Sequence, residues 1–559
     1  MHRSYFPRNN CRPNPSLKLQ KFHVQAAAPM RLVRTAALSR LRLRPLRNVT
    51  HTNVQWPALI SRRQCASCAD TAASPVTPSL DKTTQTPPIP PADHRAIAID
   101  QDLFVTSALS PGSPLFLPNG AHVFNKLLSF LRAQYKQFGF QEVITPTIYK
   151  RSLWEQSGHW ENYKDDMFEV SGRGASGQAK DAEIGEDEEY GLKPMNCPGH
   201  CLLFKSQRKT YRELPVRYAD FSPLHRNEIS GALSGLTRVR RFHQDDAHIF
   251  CRPSQISEEI SKTLEFVAVV YKTFNLGPFK LCLSTRPEDH YIGTVEDWER
   301  AEEQLKEALD RSGREWSVNE GDGAFYGPKI DIILKDSDGK EHQTATIQLD
   351  MQLPQRFQLE YQAPAPELEQ KGILTTDKSL LEQSGPVTPV IIHRAIFGSL
   401  ERFMALLIEH YNGRWPFWLS PRQAIILTVG KGNGVDEYAE EAQRITSGIG
   451  PSLPEGKVAP LPMDTAQFLV DIDQSDRPLG KKISEAKRKK YNTIIVVGKR
   501  SVEENTLELD VTAQPNQQVT QSALADILGS ENAIGNGRSV KLSRDQVYDY
   551  FSRVSSAYA

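Results

Sequence analysis

Residues 217–251 read RYADFSPLHRNEISGALSGLTRVRRFHQDDAHIFC. The stretch predicts two strands joined by a long loop, because its two glycines suit tight or left-handed backbone. Side chains alternate between the two faces of a strand. The polar residues predicted to share a face are Arg226 and Glu228 on the first strand, and Gln244, Asp246 and His248 on the second. Such a face indicates a ligand, a metal or solvent, since buried polar groups without partners are costly. A solvated hairpin is the alternative.

The composition is that of a globular protein with two or three domains: 559 residues, of which 39% are hydrophobic and 24% charged. No apolar run approaches the roughly 18 residues that indicate a membrane span, so no membrane partner is expected. Residues 1–63 hold 13 of the 68 basic residues and no acid, so the remainder carries 55 basic against 67 acidic residues. A nucleic-acid partner of this acidic body would have to bind local basic patches.

The N-terminal segment has the composition of a targeting sequence. Residues 31–47, RLVRTAALSRLRLRPLR, place arginines among Leu and Ala, which predicts mitochondrial import directed by residues 1–65 and a location in the matrix. A basic RNA-binding arm is the alternative. Residues 66–94 are predicted to be a Pro/Ser/Thr-rich disordered linker. Cys65 and Cys68 form a CxxC pair. A zinc ribbon needs a second pair nearby and the sequence has none, so this pair is interpreted as incidental. Seven scattered cysteines fit a reducing compartment.

Three further stretches have residue patterns that indicate helices or strands. Residues 121–138 have helical spacing and precede a predicted strand at 142–145. In HQTATIQLD (342–350) the even positions would share one polar face, with solvent exposure as the alternative. In VIIHRAIFGSLERFMALLIEHYNG (390–413) a strand leads into a helix that begins near Gly398 and ends at Gly413.

Together these stretches resemble class II aminoacyl-tRNA synthetases over about residues 95–500. Residues 121–145 resemble motif 1 of that class, residues 217–251 motif 2, and residues 390–413 motif 3. The strings MNCPGH (195–200), DDAHIF (245–250) and IIHRA (391–395) make the match specific to the threonyl-tRNA synthetase family. The resemblance implies an α+β fold. An antiparallel sheet flanked by helices would form a catalytic domain at 95–418, and an α/β anticodon-binding domain would follow at 419–559.

The resemblance also implies the site residues and cofactors. The catalytic residues would be Arg226, Lys329 and Arg402. ATP, with Mg²⁺, would contact Arg226, Glu228, Arg238, Phe242 and Arg402. L-Threonine would contact Gln244, Asp246, Tyr326, Thr346 and Gln348. One Zn²⁺ per chain would be bound by Cys197, His248 and His393; the spacings of these three residues are not diagnostic by themselves.

The C-terminal part is expected to contain a strand at 424–429, a helix at 437–445, an extended segment at 468–471, a basic helix at 481–490 and a strand at 493–497. Beyond about residue 510 the sequence reads as polar and irregular. The residues predicted to contact tRNA(Thr) are Lys487, Arg488, Lys489 and Lys490. A solvated helix is the alternative. The family resemblance also implies a homodimer formed through motif 1.

Two other functions compete with threonine–tRNA ligation. A non-catalytic, synthetase-like RNA-binding protein is disfavoured because Arg226, Glu228 and Arg402 are all present. A zinc hydrolase is disfavoured because no HExxH or similar base-bearing motif occurs. The acidic loop 171–189 is assigned no function.

An editing function is not expected in this chain. Bacterial-type members of the family carry an editing domain with paired histidines, whereas fewer than 100 residues precede the predicted core and no HxxxH occurs. One missing methyl is worth only about 10–200-fold discrimination. We therefore expect this mitochondrial-type chain to form Ser-tRNA without clearing it.

Overall fold

An eight-stranded sheet lies at the centre of the first structured part of the chain. The structure, a computed structural model, describes residues 92–171, 189–289, 291–335, 341–452, 459–530 and 539–559. Up to residue 419 its strands are β1 (Phe104–Val105), β2 (Leu115–Phe116), β3 (Gln141–Glu142), β4 (Ile148–Lys150), β5 (Glu169–Val170), β6 (Tyr190–Leu192), β7 (Val216–Asp220), β8 (Pro223–His225), β9 (Arg241–His243), β10 (Asp246–Cys251), β11 (Lys280–Ser284), β12 (Trp316–Asn319), β13 (Lys329–Lys335), β14 (Glu341–Asp350), β15 (Tyr361–Pro364), β16 (Ser384–Val387) and β17 (Val390–Ala395).

The central sheet has the spatial order β12-β11-β13-β14-β17-β10-β7-β3. Its neighbours are antiparallel except β11–β12 and β3–β7, which are parallel. The predicted class, an antiparallel sheet flanked by helices, is confirmed. Over the same part of the chain the helices are α1 (His94–Asp100), α2 (Pro118–Gln137), α3 (Arg151–Ser157), α4 (His159–Tyr163), α5 (Cys197–Lys205), α6 (Ile256–Thr273), α7 (Val295–Arg311), α8 (Gln352–Arg356), α9 (Pro366–Gln370), α10 (Lys378–Leu381) and α11 (Leu400–His410).

The two faces of the sheet differ in chemistry. On β10, Ala247, Ile249 and Cys251 point into the main hydrophobic core, while His248 and Phe250 lie on the other face, because side chains alternate along a strand. β14 behaves in the same way: its odd positions 345, 347 and 349 belong to the core. The polar residues at positions 346, 348 and 350 lie opposite the core. Thr344 is an exception: it lies at an irregularity in the β13–β14 register, and its hydroxyl bonds that of the core residue Tyr271 at 2.6 Å. Solvent exposure is therefore the wrong interpretation at the end of this strand, where Asp350 is fully buried.

The helices that cover the core face follow the predicted spacing. α2 buries Leu127 and Leu131, and α11 buries Phe403 and Met404 in the same core. Gly139 follows α2 and Gly413 follows α11, both with positive φ, as expected for residues that end helices. Motif 1's strand is shorter than predicted: β3 covers only residues 141–142.

The predicted strands of motif 2 are partly wrong. β8 ends at His225, so Arg226 and Glu228 lie in the following loop rather than on a strand. The second strand is broken into β9 and β10, with Gln244 between them in an isolated bridge to Ser399. Strict alternation therefore holds within β10 only. The break lets residues 243–245 bind a neighbouring segment instead of a sheet partner.

A five-stranded mixed sheet forms the C-terminal part, in the order β19-β18-β20-β21-β22. Its elements are β18 (Ala424–Thr428), α12 (Val435–Thr446), β19 (Val470–Asp473), α13 (Leu479–Arg488), β20 (Thr493–Val497), α14 (Lys499–Glu504), β21 (Leu507–Asp510), α15 (Gln517–Leu528), β22 (Ser539–Leu542) and α16 (Arg544–Ser556). β18 pairs in parallel with β19 and β20, and the other pairs are antiparallel. This order confirms the predicted α/β arrangement.

The expectation of irregular structure beyond residue 510 is wrong. β22 and two helices, α15 and α16, lie in this region. The residues Val547, Tyr550, Phe551 and Val554 recur at i, i+3, i+4 and i+7 and are fully buried in the C-terminal core. Their apolar stripe lies in a polar sequence, and its helical period is the signal that shows it.

Several predicted features lie outside the described residues: the leader 1–65, the linker 66–94 up to residue 91, and residues 172–188 of the acidic loop. Among the helices that the structure does describe, none has the length and apolar character needed to cross a membrane.

Candidate active site

A cluster of one cysteine and two histidines lies on the polar face of the central sheet. β10 and β17 are antiparallel neighbours, and their register sets His248 opposite His393, with ring centroids 4.6 Å apart. Cys197 begins α5, which packs over this face. One ligand atom from each residue lies within 4.8 Å of the others, and all three side chains are buried. The structure thus brings together the three residues predicted to bind zinc.

Each histidine of the cluster has a second partner. His393 donates through Nε2 to Asp350 Oδ2 at 2.8 Å, and His248 shares a 2.7 Å hydrogen bond with His200 between their Nδ1 atoms. Each ring therefore keeps its other nitrogen available. Metal-binding histidines commonly use their second nitrogen in this way. The sequence analysis assigned no role to His200 or Asp350, although His200 lies one helical turn after Cys197.

The protonation chemistry of the cluster fits a divalent cation. Burial raises the pKa of the Cys197 thiol well above its usual range and lowers the pKa of His248 well below its own. His159, whose Nε2 lies 3.7 Å from Cys197 Sγ, has a pKa lowered by burial to about 3. The imidazole of His248 is therefore neutral, as a metal ligand must be. A bound cation would supply the attraction that a buried thiolate otherwise lacks.

Three of the predicted threonine contacts surround this cluster. Tyr326 donates to Gln348 Oε1 at 2.5 Å, and its ring centroid lies 5.0 Å from that of His393. Asp246 precedes His248 by two residues on β10, and its Oδ2 accepts the backbone N–H of Asn196 at 3.2 Å. Burial raises the pKa of Asp246. The site therefore offers a hydroxyl, an amide and a buried carboxyl beside the metal ligands.

A cavity of about 650 Å³ lies at the same polar face of the central sheet, where Thr346 of β14 lines it. Its volume is within the usual range for small-molecule sites. The predicted site residues that line it are Arg226, Glu228, Arg238, Phe242, Gln244, Thr346 and Arg402. Arg226 lies over the Phe242 ring, 5.0 Å from its centroid, and its buried Nε has no hydrogen-bond partner among the described residues. Three arginines, an aromatic ring and a carboxylate suit a nucleotide with its phosphates.

Two charged residues of this cavity are paired with each other. Arg238 donates through Nε to Glu228 Oε2 at 2.7 Å. Arg402 lies on the first turn of α11, whose N-cap Ser399 also lines the cavity. Arg226 of motif 2 and Arg402 of motif 3 thus lie at one cavity, although 176 positions separate them in the sequence.

Lys329 does not line the cavity. Its Nζ lies 2.9 Å from a carboxylate oxygen of Asp322 and 2.9 Å from one of Asp331. Lys329 begins β13 and pairs with Gln348 on β14. The sequence analysis did not anticipate these two acids. A catalytic role for Lys329 stays a prediction, and its charge is already balanced by two carboxylates.

The predicted tRNA-binding residues lie at the end of α13 and after it. Lys487 pairs with Asp510 at 3.2 Å, and Lys489 with Glu485 at 2.8 Å. Lys490 donates to the backbone oxygen of Asn412 at 2.5 Å, while Arg488 makes no ion pair within the described part of the chain. This local pairing offsets part of the positive charge, and binding of tRNA by this segment stays a prediction.

Comparison with known proteins gives a consistent result. Residues 181–411 match the tRNA synthetase class II core domain (G, H, P, S and T), and residues 423–530 match an anticodon binding domain. A probable mitochondrial threonine–tRNA ligase from Schizosaccharomyces pombe is 50% identical over 443 residues, covering 78% of this chain and 88% of the relative. The mitochondrial threonine–tRNA ligase of Saccharomyces cerevisiae is 48% identical over 415 residues, covering 72% and 83%. Ligases named as cytoplasmic match at similar identity.

A solved structure supports the same relationship. A crystal structure described as the RNA binding domain of threonyl-tRNA synthetase from Cryptosporidium parvum Iowa II superposes with a TM-score of 0.67 at 42% identity. It covers 82% of this chain and 98% of the solved chain.

Proposed function

Because this chain belongs to the threonine–tRNA ligase family of class II tRNA synthetases, we propose that it activates L-threonine with ATP, forms threonyl-adenylate and transfers the threonyl group to the 3′ end of tRNA(Thr). One observation carries the proposal: β14 connects a cavity lined by three arginines and an aromatic ring to a buried Cys/His/His cluster. Thr346 lines the cavity, and Gln348, two residues further along the strand, pairs with His393.

In the activation step, Arg226 and Arg402 bind the phosphates of ATP and offset the charge that develops on the α-phosphate. Phe242 lies under Arg226 and provides a flat apolar surface, while Glu228 suits an acceptor for the adenine amino group. Mg²⁺ bound together with ATP would supply further positive charge to offset the charge of the phosphates. The carboxylate of threonine is then the attacking group and pyrophosphate leaves.

Threonine is recognised on the metal side of the site. Cys197, His248 and His393 would hold Zn²⁺, which would supply a Lewis acid for the amino and hydroxyl groups of threonine. Asp246 receives the hydroxyl proton, and Tyr326 and Gln348 line the same pocket. A site built to bind a hydroxyl rejects an isostere without one by roughly 10⁴–10⁵-fold.

Exchange of pyrophosphate into ATP tests the proposal. We expect exchange by the pure chain that depends on threonine and is not supported by valine, because valine fills the same volume without the hydroxyl. Labelled pyrophosphate measures the rate with each amino acid. No threonine-dependent exchange from a folded protein would leave only an RNA-binding function, and equal exchange with valine would contradict the role of the hydroxyl.

The edge of the central sheet supports a homodimer through motif 1. β3 has a single neighbour, β7, and Ile144 beside it is 84% exposed. A cavity of about 550 Å³ lies next to this edge and is lined by Gln141, Val143 and Tyr218, among others. An unpaired edge with exposed apolar side chains is a surface that a second copy can cover.

The proposed compartment is the mitochondrial matrix, where the ligase would serve mitochondrial translation. The two yeast relatives described above are named mitochondrial, and the leader lacks acidic residues. We expect residues 1–65 fused to a fluorescent reporter to direct it to mitochondria, because an Arg-rich, acid-free segment is what import receptors and the membrane potential select. A fusion with six leader arginines changed to glutamine is the control. Diffuse cytosolic signal from the unmodified fusion would contradict the targeting role.

A further inference from the structure

Asp245 lies at a point where segments from all three motifs meet. It is 1% exposed, in the break between β9 and β10. Its Oδ2 accepts the backbone N–H of Ile396 at 2.8 Å, and its Oδ1 accepts that of Phe397 at 3.0 Å. These two residues form the turn that leads from β17 into α11. A carboxylate that receives two backbone N–H groups holds the backbone in one place.

Two further side chains hold Asp245 from the other side. Tyr135, on α2, donates its hydroxyl to Asp245, with its oxygen 2.8 Å from Oδ2 and 2.7 Å from the backbone oxygen. Arg394, on β17, donates through Nη1 to the same Tyr135 oxygen at 3.1 Å. Arg394 is itself enclosed by aromatic rings, with its guanidinium 3.9 Å from the centroid of Phe140. All three polar side chains are at least 98% buried.

The residues next to Asp245 hold the same turn. Gln244 forms an isolated bridge with Ser399, and His243 donates through its backbone N–H and Nδ1 to the two oxygens of Glu401, both at 2.9 Å. Three consecutive residues therefore bind the segment 396–401. The next residue along the chain is Arg402, which lines the cavity.

We propose that Asp245 is a positioning residue for ATP: it holds the turn 396–399, and so sets where Arg402 enters the cavity, while Tyr135 and Arg394 hold Asp245. The inference rests on the proposed binding of ATP by Arg402. It assigns Tyr135 a task beyond packing, because the hydroxyl connects the motif 1 helix to the nucleotide site. Displacing a binding group by a fraction of an ångström weakens a charge-assisted contact without unfolding the site.

The chain contains a matched control for this cluster. Tyr361 is also 1% exposed and donates its hydroxyl to Glu369 at 2.7 Å, and Arg252 pairs with the same carboxylate through Nε and Nη2 at 2.5 and 2.6 Å. This second Arg/carboxylate/Tyr cluster contributes no residue to the cavity. Loss of either tyrosine hydroxyl therefore removes a similar buried hydrogen bond. Only the bond of Tyr135 holds the carboxylate that fixes the turn before Arg402.

The test compares Tyr135→Phe with Tyr361→Phe in the full chain. We expect Tyr135→Phe to weaken binding of a non-hydrolysable ATP analogue about 10-fold, the equivalent of one buried hydrogen bond, and to leave threonine affinity within about 2-fold. Tyr135→Phe and Tyr361→Phe should each lower the melting temperature by a few degrees. Tyr361→Phe should leave the affinities for the ATP analogue and for threonine unchanged. Asp245→Asn replaces one of the two carboxylate oxygens with an NH₂ group, which donates and cannot accept a backbone N–H. This variant should therefore weaken binding of the ATP analogue more than Tyr135→Phe does.

Calorimetric titration of the ATP analogue and of threonine, with thermal unfolding of each variant, gives the readouts. Equal ATP affinity in Tyr135→Phe, Tyr361→Phe and the unchanged chain would overturn the inference. An equal fall in ATP and threonine affinity would overturn it too, because it would show general loosening. Since binding is measured directly, a chain that binds ATP but shows no threonine-dependent exchange would refute the proposed function and not the positioning role.

Discussion

We expect Arg402→Ala to reduce the rate of the proposed threonyl-adenylate formation by roughly 10²–10³-fold and to leave the protein folded. The guanidinium lies on the first turn of α11, faces the cavity beside Ser399, and makes no ion pair with any described residue. Its charge therefore has no structural partner to lose. In the proposed mechanism, its removal would leave the charge that develops on the α-phosphate of ATP without one of the two arginines that offset it.

Threonine-dependent pyrophosphate exchange measures the rate, and thermal unfolding measures the fold. Arg311→Ala is the matched control, because Arg311 is an exposed helical arginine of the same part of the chain that lies outside the cavity lining. The exchange rate of Arg402→Lys should lie between those of Arg402→Ala and Arg311→Ala, since lysine keeps the positive charge and loses the planar guanidinium group. A rate for Arg402→Ala within a few-fold of the unchanged chain would refute the phosphate role.

We expect Cys197→Ala to abolish the proposed zinc binding and to slow the proposed threonine activation by on the order of 10³-fold or more. The thiol is buried and is the only sulfur of the Cys197/His248/His393 cluster. Two histidines remain after the change, and two imidazoles bind zinc far more weakly than three ligands that include a thiolate. The loss of threonine affinity should exceed any change in ATP affinity.

The chain provides a close control for that variant. Cys201 lies one turn further along α5, is fully buried, and is not part of the cluster. Metal analysis of purified protein should give about one zinc per chain for Cys201→Ala and for the unchanged chain, and almost none for Cys197→Ala. Equal zinc content in the two variants would show that the metal is bound elsewhere or not at all.

The sequence analysis was most successful where a feature lies within one element. The buried stripes of α2 and α11 and the polar positions 346, 348 and 350 of β14 followed from period alone, because helical and extended backbone impose 3.6- and 2-residue repeats on burial. The same rule shows why the C-terminal helix was overlooked: its four apolar positions lie in a mostly polar sequence. It also shows why Arg226 was misplaced, since alternation was extended past the end of β8.

The chain by itself determined the family, through short strings such as DDAHIF and IIHRA, and the helices and strands that carry them. Only the tertiary structure decided which residues meet. His248 and His393 lie 145 residues apart in the sequence and face each other because β10 and β17 pair in one register. Asp350, His200, Tyr135 and Arg394 acquired their partners in the same way. Periodicity reports the face on which a side chain lies, whereas sheet order and register depend on packing across the core, and local sequence does not encode that packing.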